Sequence, residues 1–165
     1  MKKWFLLSTL SLLMFAACKK DKACASLPPT TVATSAETAN LQSYLTTNNI
    51  TTAVGKNGMF YVISTQGTGQ SPNLCSTITI DYVGKTINTT TGTDGAQFDA
   101  SPANQPLVSS LNKLIAGWQL TMPLVKAGGL ITLYIPPSLG YGAQAAGSIP
   151  ANSYLKFQIT LREVQ

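Results

Sequence analysis

Apolar and polar residues alternate strictly in two stretches of the chain, residues 78–82 and residues 155–162. A period of two is that of a strand with one buried face, so both stretches predict antiparallel strands over a core. Residues 129–135 are more continuously apolar, which predicts a strand in the centre of the sheet. Residues 59–63 predict a further strand, because they are rich in aromatic and branched side chains and follow a glycine.

Helical periodicity occurs twice. Thr34 and Glu37 have the spacing of a capping box, and the helix that they open is expected to end at residues 48–49. Three apolar residues fall on one face of this helix, which predicts that it docks on the main domain: Leu41, Tyr44 and Leu45. A short second helix is predicted between residues 115 and 124, with Trp118 and Met122 one turn apart.

Several strands, one short internal helix and no internal repeat predict an α+β fold. Its expected form is a twisted antiparallel β-sheet wrapped around the short α-helix, with an N-terminal helical extension. A chain of 165 residues is long enough for one domain and a short extension.

Charge is sparse, with 11 Lys+Arg against 6 Asp+Glu and a formal net charge of +5. Much of the basic excess lies at the front of the chain, in Lys2, Lys3, Lys19, Lys20 and Lys22. A nucleic-acid-binding protein would carry its basic residues on the folded surface, so we expect no nucleic-acid partner.

The first 17 residues have the layout of a secretory signal peptide: two lysines, an apolar stretch over residues 4–15, and two alanines. Residues 15–18 (FAAC) resemble a bacterial lipobox, although the first position is Phe where Leu is usual. The resemblance predicts that Cys18 is lipidated and becomes the mature N-terminus. The alternative is an ordinary cleaved signal with Cys18 an incidental thiol.

Lipidation of Cys18 would leave Cys24 and Cys75 as an even pair in an oxidising compartment, where a disulfide between them is favoured over two free thiols. Residues 18–33 include two consecutive prolines and are predicted to be an extended tether. We assign residues 34–57 to the helical extension and residues 58–165 to the main domain.

The residue types that are missing exclude several kinds of chemistry. The chain has no histidine, so a Ser-His-Asp or Cys-His nucleophile cannot form. The three cysteines lack zinc-site spacing, and no phosphate-binding GxxxxGK[ST] motif occurs, so neither a metal nor a cofactor is expected. Acids are few: Asp81 is expected to point outward from its strand, and Asp94 falls in a predicted turn rich in Thr and Gly. The candidate site that remains is a small apolar pocket lined by aromatic residues.

Motifs rich in aromatic and branched apolar residues follow one another in the last ninety residues: residues 80–84 (IDYVG), 97–99 (QFD), 114–118 (LIAGW), 135–142 (IPPSLGYG), 148–153 (SIPANS) and 155–159 (LKFQI). In this order they resemble the FKBP-type peptidyl-prolyl cis-trans isomerase domain, over about two-thirds of the chain. Together with the lipobox, the whole resembles FKBP-type lipoproteins of Gram-negative bacteria.

The resemblance implies an isomerase of X-Pro bonds that assists the folding of exported proteins without a cofactor. Its catalytic group would comprise Tyr82, Asp99, Ile115 and Tyr141. Its substrate-binding group would comprise Phe98, Leu107, Leu114, Trp118, Ile149 and Phe157. Within these groups, Trp118 would form the floor under the proline ring, the Ile115 N–H would hold the substrate carbonyl, and Tyr141 would donate a hydrogen bond.

The same resemblance implies the partners and the location. Proline-containing polypeptides would be the substrates, and tacrolimus or rapamycin would be able to bind. Separately, nothing in the sequence indicates a coiled coil or a large exposed apolar stripe, so we expect a monomer. A lipid anchor at Cys18 would hold it to the cell envelope, in the bacterial outer membrane, facing the periplasm or the cell surface.

Four positions depart from the family pattern. Leu107 and Ser109 stand where the family commonly has Pro-Phe-x-Phe aromatic residues, Ser148 replaces a branched apolar residue, and Ala151 replaces a proline. These changes would enlarge the pocket, lower activity or alter the preference for the residue before proline. Leu107 and Ser109 favour, as an alternative, a non-catalytic module or chaperone that binds proline-containing or apolar segments. A structural envelope lipoprotein is a third, more remote interpretation.

Overall fold

The computed structural model describes residues 26–165, which form seven antiparallel strands and two α-helices. The helices are α1 (Ser35–Thr47) and α2 (Ala116–Thr121), and short 3₁₀ turns occur at Leu111–Lys113, Met122–Leu124 and Pro137–Leu139. The strands are β1 (Val54–Lys56), β2 (Met59–Thr65), β3 (Thr77–Asn88), β4 (Thr93–Ala100), β5 (Leu107–Ser110), β6 (Gly129–Ile135) and β7 (Tyr154–Val164).

All the strands belong to one sheet in the order β1-β2-β6-β7-β3-β4, and β5 pairs with β3. The two long strands β3 and β7 lie side by side, with Tyr82 opposite Ile159 and Gly84 opposite Phe157. The alternation predicted for β7 is observed, since Leu155, Phe157, Ile159 and Leu161 are buried. β6 lies between β2 and β7, as its continuous apolar sequence predicts.

The short helix α2 packs against the sheet and supplies Trp118 and Leu120 to the main core. A side chain at Gly117 would place its Cβ 2.8 Å from Cδ1 of Ile135, so the absence of one lets α2 approach β6 closely. The predicted α+β fold is therefore confirmed, with a twisted antiparallel sheet around a short helix.

The helix α1 begins at the predicted capping box. The Glu37 N–H donates to Oγ1 of Thr34, and the Thr34 N–H donates to the Glu37 carboxylate. Its buried face, formed by Leu41, Tyr44 and Leu45, lies in a second apolar cluster with Ile87 and Tyr134 of the sheet. The helix therefore docks on the main domain, as the position of its apolar residues predicts.

Strand β4 corrects one prediction: Asp94 lies in this strand, not in a turn. Only Thr93 and Phe98 of β4 are of the types that favour strands, and all its residues are half-buried or exposed, so it forms through its pairing with β3. β1 and β5 were also not predicted. β1 extends the sheet into the segment assigned to the extension, and the assigned domain limits stay a prediction.

The predicted signal peptide (residues 1–17), the lipidation site Cys18 and Cys24 lie outside the described residues. Cys75 is exposed and disulfide-bonded, and its pairing with Cys24 stays a prediction. The described end of the tether contacts the domain, because the Asn112 side-chain amide donates to the Ser26 hydroxyl at 3.1 Å. Within residues 26–165, no helix has the length and apolar character needed to cross a bilayer.

Candidate active site

Eight of the ten predicted catalytic and binding residues line one cavity of about 80 Å³. These residues come from β3, β4, β5, the start of α2, the segment after β6, and β7. They are Tyr82, Asp99, Leu107, Leu114, Ile115, Trp118, Tyr141 and Phe157. The fold thus brings together motifs that are up to 75 residues apart in the sequence.

The inner surface of this cavity is formed by aromatic rings that pack edge to face. The Trp118 and Phe157 ring centroids lie 5.1 Å apart with their planes at 85°, and those of Tyr82 and Trp118 lie 5.7 Å apart at 79°. Edge-to-face geometry is the arrangement that aromatic quadrupoles favour. The rings therefore hold one another in fixed orientations and present an apolar, weakly hydrated surface.

Trp118 carries an unusual polar group into this surface. Its side chain is only 4% exposed, and its indole N–H is buried without a hydrogen-bond partner in the described part of the chain. Leaving such a donor unsatisfied costs about 1–3 kcal/mol. The native fold tolerates this cost at the cavity.

Tyr82 and Asp99 form the polar side of the cavity. The Tyr82 hydroxyl donates to Oδ2 of Asp99 at 2.5 Å, and the Ala100 N–H donates to Oδ1 at 2.9 Å. Burial, and then the hydrogen bond and negative charge of Asp99, raise the pKa of the Tyr82 phenol well above its usual range. The phenol is therefore neutral at physiological pH and donates its one proton to Asp99.

Tyr141 reaches the cavity from the segment between β6 and β7. Its side chain is 41% exposed, and its hydroxyl has no hydrogen-bond partner among residues 26–165. Burial, and then the charge of Asp99, raise the pKa of Tyr141. Its hydroxyl therefore stays protonated and is available as a donor to a bound molecule.

Ile115 is the N-cap residue of α2, and its carbonyl accepts the N–H groups of Trp118 and Gln119. The N–H at the start of a helix has no partner within the helix, so that of Ile115 is placed to bind an acceptor. Leu107 lies at the start of β5, opposite Ile80 of β3, and covers the adjacent side.

The other two predicted binding residues are Phe98 and Ile149, and their part in binding stays a prediction. Phe98 packs edge to face against Phe157 of the cavity wall, with ring centroids 5.5 Å apart. Ile149 is 5% exposed and belongs to the main core. No cluster of His, Cys, Asp or Glu suited to a metal ion occurs in the described part of the chain.

Two residues that support the site were not identified from the sequence. Ser101 holds the backbone of Tyr82, because it accepts the Tyr82 N–H at its Oγ and donates its own N–H to the Tyr82 carbonyl, both at 3.0 Å. Gly84 leaves space for the walls, since a Cβ there would lie 2.7 Å from Phe98 and 2.8 Å from Phe157.

Comparison with known proteins gives a consistent result. Residues 69–162 match the family model described as FKBP-type peptidyl-prolyl cis-trans isomerase. The chain is 38% identical over 110 residues to the FKBP-type peptidyl-prolyl cis-trans isomerase FkpA of Buchnera aphidicola subsp. Schizaphis graminum, covering 66% of this chain and 41% of the relative. It is also 38% identical over 111 residues to the peptidyl-prolyl cis-trans isomerase Mip of Coxiella burnetii, covering 66% of this chain and 46% of the relative. The chain thus spans less than half the length of these relatives.

Solved structures show the same fold. The crystal structure of FkpA from Escherichia coli superposes with a TM-score of 0.68 at 30% identity, covering 78% of this chain and 59% of that one. A peptidyl-prolyl cis-trans isomerase from Pseudomonas syringae pv. tomato superposes with a TM-score of 0.65 at 27% identity, covering 83% of this chain and 99% of that one.

Proposed function

The chain belongs to the FKBP-type peptidyl-prolyl cis-trans isomerase family, and from that premise we propose that it accelerates rotation about X-Pro bonds in polypeptides. The observation that carries the proposal is the convergence of eight predicted site residues on one aromatic cavity. Because the chain covers only part of its relatives, its activity and its substrates are inferred from its own site.

The reaction needs no covalent step. Rotation about an X-Pro bond is opposed by a barrier of about 20 kcal/mol, because the planar amide loses its resonance when it twists. The twisted state also loses much of the charge separation of the amide. A dry, weakly hydrogen-bonding surface therefore favours the twisted state over the planar one.

The aromatic surface supplies this environment. Trp118 forms the floor for the proline ring, with Tyr82 and Phe157 as walls held edge to face against it. These side chains belong to strands and to α2, which are rigid elements, so the surface is preformed and need not reorganise as the amide twists.

The polar groups orient the substrate. The N–H of Ile115 and the hydroxyl of Tyr141 act as donors to substrate carbonyls, since neither is used within the site. Asp99 places its negative charge at the wall beside the twisting amide and fixes the Tyr82 ring through its short hydrogen bond.

The remaining features of the proposal concern location and partners. Signal-peptide cleavage and lipidation at Cys18 would anchor the protein to the bacterial envelope, and a disulfide between Cys24 and Cys75 would fix the tether to the domain. The protein would act there as a monomer on exported proline-containing polypeptides. Tacrolimus or rapamycin would occupy the cavity.

The test compares isomerisation rates of a cis-proline tetrapeptide with the purified full chain, with Asp99→Ala and with Asp81→Ala. Asp81 is a matched control, because it lies in β3 next to Tyr82 and pairs with Arg162 away from the cavity. Hydrogen bonds to charged groups contribute about 1.5–3 kcal/mol, so Asp99→Ala is expected to lower kcat/KM by about tenfold or more.

Asp81→Ala is expected to keep the rate of the wild type. A wild-type rate equal to that of buffer would refute the isomerase proposal. If tacrolimus then still raised the melting temperature, the non-catalytic binding alternative would be favoured.

A further inference from the structure

The helix α1 is hydrogen-bonded to the segment that carries Tyr141 through one side chain, Glu37. Its Oε1 accepts the Ser138 N–H at 3.0 Å, and its Oε2 accepts the Ser138 hydroxyl at 3.0 Å. The same Oε2 accepts the Thr34 N–H at 2.9 Å, so a single carboxylate joins the capping box of α1 to a residue 101 positions later.

Ser138 lies in the 3₁₀ turn Pro137–Leu139, and this turn continues directly into Tyr141. The Pro137 carbonyl accepts the N–H groups of Gly140 at 3.0 Å and Gly142 at 2.9 Å. The two neighbours of Tyr141 in the sequence, Gly140 and Gly142, thus both donate to the Pro137 carbonyl. A displacement of the turn therefore moves the Tyr141 side chain as well.

We propose that Glu37 is a positioning residue for the isomerase site, which fixes the turn at Ser138 and thereby holds Tyr141 over the cavity. The proposal rests on the proposed function of the cavity. It assigns to the N-terminal extension a part in catalysis, although no residue of α1 lines the cavity.

The chemistry of the contact suits a carboxylate. The N–H of Ser138 is near the start of a 3₁₀ turn, where backbone donors have no partner within the turn, and Glu37 supplies the acceptor. Two oxygens that serve two donors of one residue also fix its orientation better than a single contact would. Alanine at position 37 offers no acceptor, so Ser138 would turn to water and the loop would lose its attachment to α1.

The experiment is a double-mutant cycle on the purified full chain. It measures kcat/KM for the cis-proline peptide, well below the melting temperature, in wild type, Glu37→Ala, Tyr141→Ala and the double variant. Glu37→Ala is expected to lower kcat/KM by about three- to tenfold, as small displacements of orienting groups do. In the Tyr141→Ala background, Glu37→Ala is expected to change kcat/KM by less than about twofold, because Glu37 acts on the rate through Tyr141.

Thr34→Ala is the matched control. It removes the side-chain cap of the same helix end and the hydrogen bond from the Thr34 hydroxyl to Oε2 of Glu37. It leaves the bond from the Thr34 N–H and both bonds of Glu37 to Ser138, so it is expected to lower the melting temperature and keep kcat/KM. Hydrogen exchange of the Gly142 amide, which donates to Pro137, gives a second readout: it is expected to accelerate in Glu37→Ala and not in Thr34→Ala.

Equal rate losses in the two backgrounds, or unchanged Gly142 exchange in Glu37→Ala, would overturn the proposal. An inactive wild type would instead refute the proposed function, and the Gly142 exchange would still decide whether Glu37 holds the loop.

Discussion

Substituting Trp118 by Phe separates the role of this residue in stability from its role in the reaction. The change removes about three ring atoms from a side chain that is 4% exposed, at a cost of about 2 kcal/mol at about 0.8 kcal/mol per buried carbon. It also removes the buried indole N–H that has no partner in the described residues, which returns about 1–3 kcal/mol. The two effects oppose each other, so the free energy of unfolding is expected to change by less than about 1.5 kcal/mol.

Activity is not compensated in this way. The indole face contacts the proline ring in the proposed complex, and an aromatic contact contributes about 0.5–1.5 kcal/mol. With about 1.4 kcal/mol equal to one factor of ten, kcat/KM is expected to fall by about two- to tenfold. Urea unfolding measures the first quantity and the coupled cis-proline peptide assay the second.

Tyr134→Phe is the control for this substitution. Tyr134 is also 4% exposed, but it lies against α1 in the second apolar cluster and not at the cavity, so its variant is expected to keep kcat/KM. A loss of more than about 3 kcal/mol in Trp118→Phe would show that the indole N–H is satisfied in the native protein. An unchanged rate would show that Trp118 is not the floor of the active site.

Two further predictions concern packing and pH. Gly84→Ala puts a Cβ within 2.8 Å of two aromatic rings, so it is expected to destabilise the fold by about 1–3 kcal/mol and to lower kcat/KM. Gly55→Ala is the control, because its new Cβ would lie 3.6 Å from the nearest atom, and it is expected to change neither stability nor rate. Equal melting temperatures of the two variants would contradict this prediction. Burial raises the pKa of Glu37 and of Asp94, but hydrogen bonds outweigh this effect and hold both pKa values below their ordinary values. The two ionised carboxylates therefore stabilise the fold fully above about pH 4.5, and this contribution is lost as the pH falls through their folded-state pKa values. Urea unfolding at pH 7, 5 and 3 should show a shallower acid loss for Glu37→Gln than for wild type, and parallel profiles would show that the ionised Glu37 carboxylate does not stabilise the fold.

The parts of the fold that could be predicted from the sequence are those whose local pattern carries the physical cause. β7 buries one face only, so its apolar and polar residues alternate along the sequence. The capping box of α1 satisfies its own backbone donors within four residues, so it too can be recognised locally. The pocket residues could be predicted because the motifs that carry them, in their order along the chain, resemble those of the FKBP-type isomerase domain.

The parts that could not be predicted depend on partners distant in the sequence. β4 has no strand pattern of its own and exists through its ladder with β3, interrupted by two irregularities in register. Ser101 and Glu37 act on residues 19 and 101 positions away, and nothing near them in the chain indicates either contact.

In the proposed mechanism, desolvation of the substrate and its orientation rely on different kinds of structure. The apolar surface is built from β3, β7 and α2, whose side chains also form the core, so a substitution in these walls alters stability and activity together. The Tyr141 hydroxyl comes from a partly exposed loop residue, which contributes little to the core. In the proposed mechanism, desolvation would therefore depend on the global fold, whereas orientation of the substrate would depend on local contacts such as that of Glu37. Variants that alter the rate without altering stability should accordingly concentrate around the Tyr141 loop and its attachment to α1.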